Sequence, residues 1–387
     1  MAIERTYSNR KCVKNKLTNG ILTNKFKCLY SSWVQKLLSW SAFSAQKLET
    51  SEKLILSSLK TPWRGFYVEV KTLNAEICKI WTVAMNEQSK EIPLLYVHGL
   101  GAGMFIFLNL FIINVFNVVA LGLWLLNFDD VAKNRPVYAI DLPGFGKSSR
   151  IEFLDEAILV EQQYVKIVED WRVKMNISKM NICGHSMGGL IGFSYAISFP
   201  QNVQHLILAD PWGLTPKPIN KKRNNSNISD KIGSFFSKIA YPLTILRMFG
   251  PFSQWIVEFT FPEMVAELTA FVGNKEIVIQ YIHQINLQTP TGEGAFKTMM
   301  DEFYWVQHPL VKRIDSLSET IPITLIWAEY SALDKIDEGL FGKLRSKSYV
   351  KIHTVKGVGH EFFAYNSIEF NDLINESCAL KIINKKL

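Results

Sequence analysis

The chain has 387 residues, 48% of them apolar, with a formal net charge of +8. That length and apolar share bury a sizeable core, in one large domain with an insertion or in two smaller domains. Five scattered cysteines, Cys12, Cys28, Cys78, Cys183 and Cys378, are odd in number and lack metal-ligand or redox spacing, which fits reduced thiols and argues against a disulfide framework.

The positive charge is not spread evenly. Residues 1–60 hold eleven Lys or Arg against three Glu, so the rest of the chain is neutral overall. A basic arm of this kind suits anionic lipid, nucleic acid or plain solvation. No nucleic-acid motif accompanies it, so no nucleic-acid partner is expected. The first thirty residues lack a continuous apolar run, so no secretory signal is expected; an acid-poor start is compatible with a mitochondrial presequence, although Lys and Asn outnumber Arg. The composition of residues 1–30 predicts disorder. Trp33, Leu37 and Trp40 then recur at helical spacing with Val34, Leu38 and Phe43 beside them, as in a helix lying in a membrane interface or packed on the body of the protein. Residues 49–60 read as a mixed continuation of this arm, closed by Pro62.

From Trp63 onward the pattern changes. Phe66–Val70 and Ile77–Val83 alternate around a Leu73-Asn74-Ala75 turn, which predicts a hairpin. Short apolar runs at Leu94–Val97, Val137–Ile140, Met180–Cys183, His205–Ala209, Ile323–Trp327 and Tyr349–Val355 read as buried strands, and Glu156–Met175 and Leu190–Ile197 as helices. Such alternation predicts an α/β fold: a mostly parallel sheet with helices on both faces. The core is expected over 63–210 and 319–387. Between them 211–318 loses its strands, carries Lys221-Lys222-Arg223, and reads as a helical cap.

Residues 104–128 hold no charge and are long enough to suggest a transmembrane helix. A span there would separate the strand before it from the strand after it, and Asn109, Asn114, Asn117 and Asn127 weaken the apolar case. A buried or lid-associated helix is the expectation.

The chemistry centres on Gly184-His185-Ser186-Met187-Gly188-Gly189, placed between a strand and a helix as a G-x-S-x-G nucleophile elbow requires. Acyl transfer needs a base for Ser186, an acid to fix the base's tautomer, and donors for the oxyanion. In this fold the order is Ser, acid, His. His360, in Gly357-Val358-Gly359-His360 after the last strand, is the expected base, with His353 structural and His185 turned away from Ser186. Asp334, seven residues beyond Trp327, is the expected acid, with Asp337 and Glu329 as competitors. The oxyanion donors are assigned to the backbone of Leu100 and Met187, and His98 is expected to order its glycine turn. Nothing calls for a metal or cofactor.

Several stretches together resemble one family: His98–Gly103, Leu121-Gly122-Leu123-Trp124, Asn134–Ala139, Gly144-Phe145-Gly146-Lys147-Ser148-Ser149, Asp210-Pro211-Trp212-Gly213 and Gln288–Glu293. They look like the α/β-hydrolase-domain lipases that include the lysophospholipase acting on N-acylphosphatidylethanolamines and its paralogue, the lipid-droplet coactivator of adipose triglyceride lipase. The likeness runs from about Trp63 to Asn371. It implies a lipid substrate, an intracellular setting with membrane or lipid-droplet association, and a possible lipase partner. Because the coactivator carries Asn in place of the nucleophile, Ser186 places the chain on the enzyme side. An acyltransferase motif, His-x4-Asp, is attached to the family, but here Tyr365 stands at the acid position after His360. The family's Gly-Ala-Arg is Ala328-Glu329-Tyr330, while aligning Ser331–Asp334 with its acid motif favours Asp334. Residues 104–120 interrupt the family pattern and would suit a retained, translated intron.

Overall fold

The computed structural model describes residues 43–100, 121–217, 253–260, 262–301 and 305–380, together with 243, 244 and 247. The expected interfacial helix around Trp33–Trp40, the Lys221-Lys222-Arg223 cluster and the stretch 104–120 lie outside them.

An eight-stranded sheet runs through the molecule in the order β1-β2-β4-β3-β5-β6-β7-β8. The hairpin of β1 (Trp63–Lys71) and β2 (Ile77–Met85) is antiparallel, and β2 also pairs antiparallel with β4. Its turn keeps Ala75 at φ 63°, with Thr72 accepting the Glu76 N–H on its hydroxyl at 3.1 Å. From β4 (Val137–Ile140) across β3 (Leu94–Val97), β5 (Met180–His185), β6 (Val203–Ala209), β7 (Ile323–Ala328) and β8 (Val350–Val355), all pairings are parallel. In β3, β4, β5 and β7 every residue is buried, as unbroken apolar runs predict for parallel strands covered on both faces. β8 forms one edge and is only half-buried over most of its length.

Helices flank the sheet: α1 (Ala45–Leu56), α2 (Leu125–Ala132), α3 (Ala157–Lys174) and α4 (Met187–Ser198) before β6. Between β6 and β7 come α5 (Ser253–Thr260), α6 (Pro262–Val272), α7 (Lys275–Asn286) and α8 (Thr291–Met299). The last are α9 (Glu338–Leu344), α10 (Phe362–Tyr365) and α11 (Ser367–Ala379). None of the described helices is long and apolar enough to cross a membrane. Past Leu121 the chain makes a single 3-10 turn, Leu121–Trp124, before α2, so the end of the charge-free stretch belongs to the packed core.

Residues 45–56, most of them in the stretch read only as a mixed continuation of the arm, form a helix, with Ser44 as N-cap accepting the Lys47 N–H. Its inner face, Leu48, Glu52, Ile55 and Leu56, is buried. Ser44 donates its N–H to Gln284 of α7 at 2.8 Å, tying helix to helix. Glu52 is the charged member of that face: its Oε2 meets Lys147 Nζ at 2.8 Å, and that ammonium lies 3.3 Å from the centroid of the Trp81 ring.

Burial, opposed by the charge of Lys147 and reinforced by Asp141, pushes the Glu52 carboxyl up to about 7 from 4.5. The unfolded chain therefore releases this proton near pH 4.5 while the folded chain holds it to about pH 7, and stability falls as pH rises through that window. The loss is on the order of 3 kcal/mol. Chemical denaturation at pH 5 and pH 8 should record it, and Glu52→Gln should flatten the difference; an unchanged pH dependence in that variant would contradict the assignment.

Candidate active site

Ser186 sits at the turn between β5 and α4 with φ 52° and ψ −120°, a conformation that costs a non-glycine residue free energy and lifts its side chain off the sheet. The turn is held from both sides. The Ser186 N–H donates to Ala209 O at 3.1 Å, and its carbonyl accepts from Trp212 N at 3.0 Å. Behind it, Gly188 packs so closely that a Cβ there would fall 2.2 Å from Val97 O and 2.6 Å from His98 O. Only glycine lets α4 begin this near the end of β3.

The residue after Ser186, Met187, opens α4, where a helix leaves its first N–H groups without intrahelical acceptors. It is one of the two expected oxyanion donors. Leu100, the other expected donor, is buried in the turn after β3, and its carbonyl accepts the Ser186 hydroxyl at 3.3 Å. This turn is anchored through His98, whose Nε2 accepts the Leu142 N–H at 2.9 Å while Nδ1 meets Gly99 O at 3.0 Å. Burial lowers the His98 pKa, partly offset by Asp141, so the ring is neutral and its tautomer follows from these two bonds. Asp141 in turn holds Leu121 N at 2.8 Å and Lys147 N at 2.7 Å. Gly146 allows this at φ 47°, since a Cβ would lie 2.0 Å from Asp141 Oδ2.

His360 follows β8 in the glycine-containing loop. Its Nδ1 lies 2.5 Å from Oδ2 of Asp210, and its Nε2 is buried without a hydrogen-bond partner among the described residues. Burial alone would lower its pKa; the hydrogen bond and charge of Asp210, with Glu361 adding to them, carry it above the ordinary histidine value. The His185 ring packs 4.4 Å from the His360 ring, and its Nε2 meets the His360 carbonyl at 3.0 Å. Burial, reinforced by His360, drives the His185 pKa well down, so it acts here as a neutral donor that fixes the backbone of His360. Trp124 supports this corner, stacked 4.5 Å from Tyr96 and 4.5 Å from Phe363, with its edge-on contact to His185 at 6.3 Å. Glu361 is half-buried, its carboxyl raised mainly by desolvation and opposed by His360.

The structure thus brings His360 to Asp210, not to the expected Asp334. Asp210 directly follows β6, is 0% exposed, and stands at φ 43° with its N–H on Ile326 O at 2.7 Å. Its place one strand from Ser186 puts the carboxylate directly under the imidazole. Asp334 lies on the loop after β7, where Thr215 donates to its backbone carbonyl at 3.1 Å. The hydroxyl of Ser331, from the same loop, donates to Asp210 Oδ2 at 2.6 Å. The competitors are engaged elsewhere: Asp337 caps α9 by accepting the Leu340 N–H at 2.8 Å, and Glu329 accepts the Gly357 N–H at 2.7 Å. His353 on β8 pairs with Glu369 at 2.7 Å. The readable signal for Asp210 was an acidic residue at the carboxyl end of a central strand, where α/β sheets gather their functional groups. No cluster of metal-binding side chains occurs among the described residues.

Comparison with known proteins agrees with this architecture. Residues 92–239 match the α/β-hydrolase fold. The chain is 33% identical over 338 residues to mouse 1-acylglycerol-3-phosphate O-acyltransferase ABHD5, covering 87% of this chain and 90% of that one. It is 33% identical over 338 residues to human (Lyso)-N-acylphosphatidylethanolamine lipase, covering 87% and 92%. Among solved structures, naproxen esterase from Bacillus subtilis superposes with a TM-score of 0.55 at 15% identity, over 87% of this chain and 99% of that chain. The chain belongs to the α/β-hydrolase family that contains ABHD5 and the (lyso)-N-acylphosphatidylethanolamine lipase.

Proposed function

We propose that this chain is a serine hydrolase that removes fatty acyl groups from glycerophospholipids of the N-acylphosphatidylethanolamine class, with Ser186 as nucleophile, His360 as base and Asp210 as acid. The observation that carries the reading is a buried serine in a strained strand-to-helix turn directly after His185, whose ring packs on a histidine paired with a buried carboxylate, in a chain whose relatives include a lipase of that name. Ser186 Oγ attacks the acyl carbonyl carbon as His360 Nε2 takes its proton, and Asp210 stabilises the imidazolium. The N–H groups of Met187 and Leu100 are the proposed oxyanion donors. His360 returns the proton to the departing alcohol oxygen; a water, deprotonated by the same nitrogen, then releases the fatty acid and restores Ser186. In this reading the helical stretch 211–318 covers the site, and the basic arm of residues 1–60 meets the surface of a membrane or lipid droplet.

Ser186→Ala tests it. The variant should lose labelling by a fluorophosphonate probe and lose fatty-acid release from vesicles containing lyso-N-acylphosphatidylethanolamine by about 10³-fold or more. Full release by the variant would overturn the assignment. Lipolysis in cells that is unchanged by Ser186→Ala would instead point to a regulator of another lipase.

A further inference from the structure

The geometry points to Ser331 as a positioning residue for this hydrolysis, its hydroxyl orienting the Asp210 carboxylate that holds His360. This rests on the reading of Asp210 as the acid.

A carboxylate 0% exposed has lost its water and depends on the donors that replace it. Oδ2 of Asp210 receives two, His360 Nδ1 at 2.5 Å and Ser331 Oγ at 2.6 Å, while Oδ1 has none among the described residues. Ser331 is therefore half of the described hydrogen bonding of that side chain. Its own orientation is fixed, because Oγ accepts the Leu333 N–H at 3.1 Å, which directs its proton toward the carboxylate. The loop that carries it is strapped to the base's loop: Glu329 N donates to Val355 O at 2.9 Å and Tyr330 N to Val358 O at 3.0 Å. Ser331 thus sets the carboxylate from a segment hydrogen-bonded to the one that carries His360.

Removing the hydroxyl concentrates the negative charge of Asp210 on the imidazole. The imidazolium becomes more stable and the base harder to free of its proton. Among the described residues, the other ionisable groups facing His360 are Glu361 and His185, and neither is substituted in the variants below.

Hydrolysis of p-nitrophenyl butyrate is measured as kcat/KM against pH. Ser331→Ala should lower the value at pH 7 about ten-fold, the scale of one hydrogen bond to a charged group, and move the acid limb to higher pH by about half a unit or more. Ser331→Thr, which keeps the hydroxyl, should restore the limb. A merely structural role would reduce the plateau and leave the limb where it is, and that result overturns the proposal. Should Ser331→Ala fail to fold, Ser331→Cys substitutes a weaker donor of similar size, and a wild-type limb in that variant overturns it equally. Asp210→Asn run in parallel separates the two readings: retained activity there removes Asp210 as the acid, whereas loss there with a wild-type limb in the Ser331 variants removes Ser331 alone.

Discussion

Asp210→Asn should reduce kcat by about 10⁴-fold, the scale set by the equivalent change in other serine hydrolase triads, while Asp334→Asn stays within about ten-fold of wild type. The carboxamide keeps the size of the side chain, and its oxygen can stand where Oδ2 accepts from both His360 Nδ1–H and the Ser331 hydroxyl, but it carries no charge. The imidazolium that forms when Ser186 gives up its proton then lacks the Asp210 anion beside it. Where the carboxamide instead turns its NH₂ to His360, the tautomer inverts, Nε2 carries the proton and can no longer accept one from Ser186. Steady-state kinetics on a soluble ester, with circular dichroism to verify folding, decides between the two aspartates. An inactive Asp334→Asn beside an active Asp210→Asn would return the acid to the loop after β7.

The second large effect concerns the turn rather than the chemistry. Gly188→Ala should destabilise the protein by on the order of 4 kcal/mol and abolish fluorophosphonate labelling. Its new Cβ would meet backbone, Val97 O at 2.2 Å and His98 O at 2.6 Å, and neither can rotate away as a side-chain tip would. Relief requires α4 to withdraw from the end of β3, which takes Met187 and Ser186 with it. Gly192→Ala, one turn further along the same helix, is the control. There the nearest atoms are Ile182 Cγ2 at 3.2 Å and Leu206 Cδ1 at 3.6 Å, and the cost should stay within about 1 kcal/mol. Urea denaturation of both variants measures the contrast, and equal stabilities would show that the elbow is not as tightly seated as its distances imply.

These two sites mark where sequence reasoning reached and where it stopped. The elbow was legible because its requirements are local: a strand, three glycines and a serine within ten residues. The strands were legible for a similar reason, since a buried parallel strand is a short apolar run, and Val137–Ile140 and Leu94–Val97 are such runs. His360 could be placed from its glycine-flanked position after the last strand. Its carboxylate partner could not be placed that way. Whether His360 takes its partner from the end of β6 or from the loop after β7 depends on how those segments are placed in space, and Asp210 and Asp334 are both plausible in one dimension. Helix α1 was missed for another reason. Its inner face contains Glu52, which breaks the apolar stripe of Leu48, Ile55 and Leu56, and the lysine that makes this acceptable lies at position 147.

That distant lysine gives α1 a mechanical meaning. The helix directly follows residues 1–42, and from Glu52 a chain of polar contacts leads through Lys147 to Asp141, and from Asp141 to the N–H of Leu121. Asp141 also stands one residue before Leu142, the partner of His98 in the glycine turn. Lifting α1 from the body would strand a largely buried ammonium without its counter-ion and slacken the loop that braces the nucleophile's surroundings. The seating of α1 and the loop that braces the glycine turn are thus joined by one run of hydrogen bonds, so loss of the Glu52 contact is felt as far as the partner of His98.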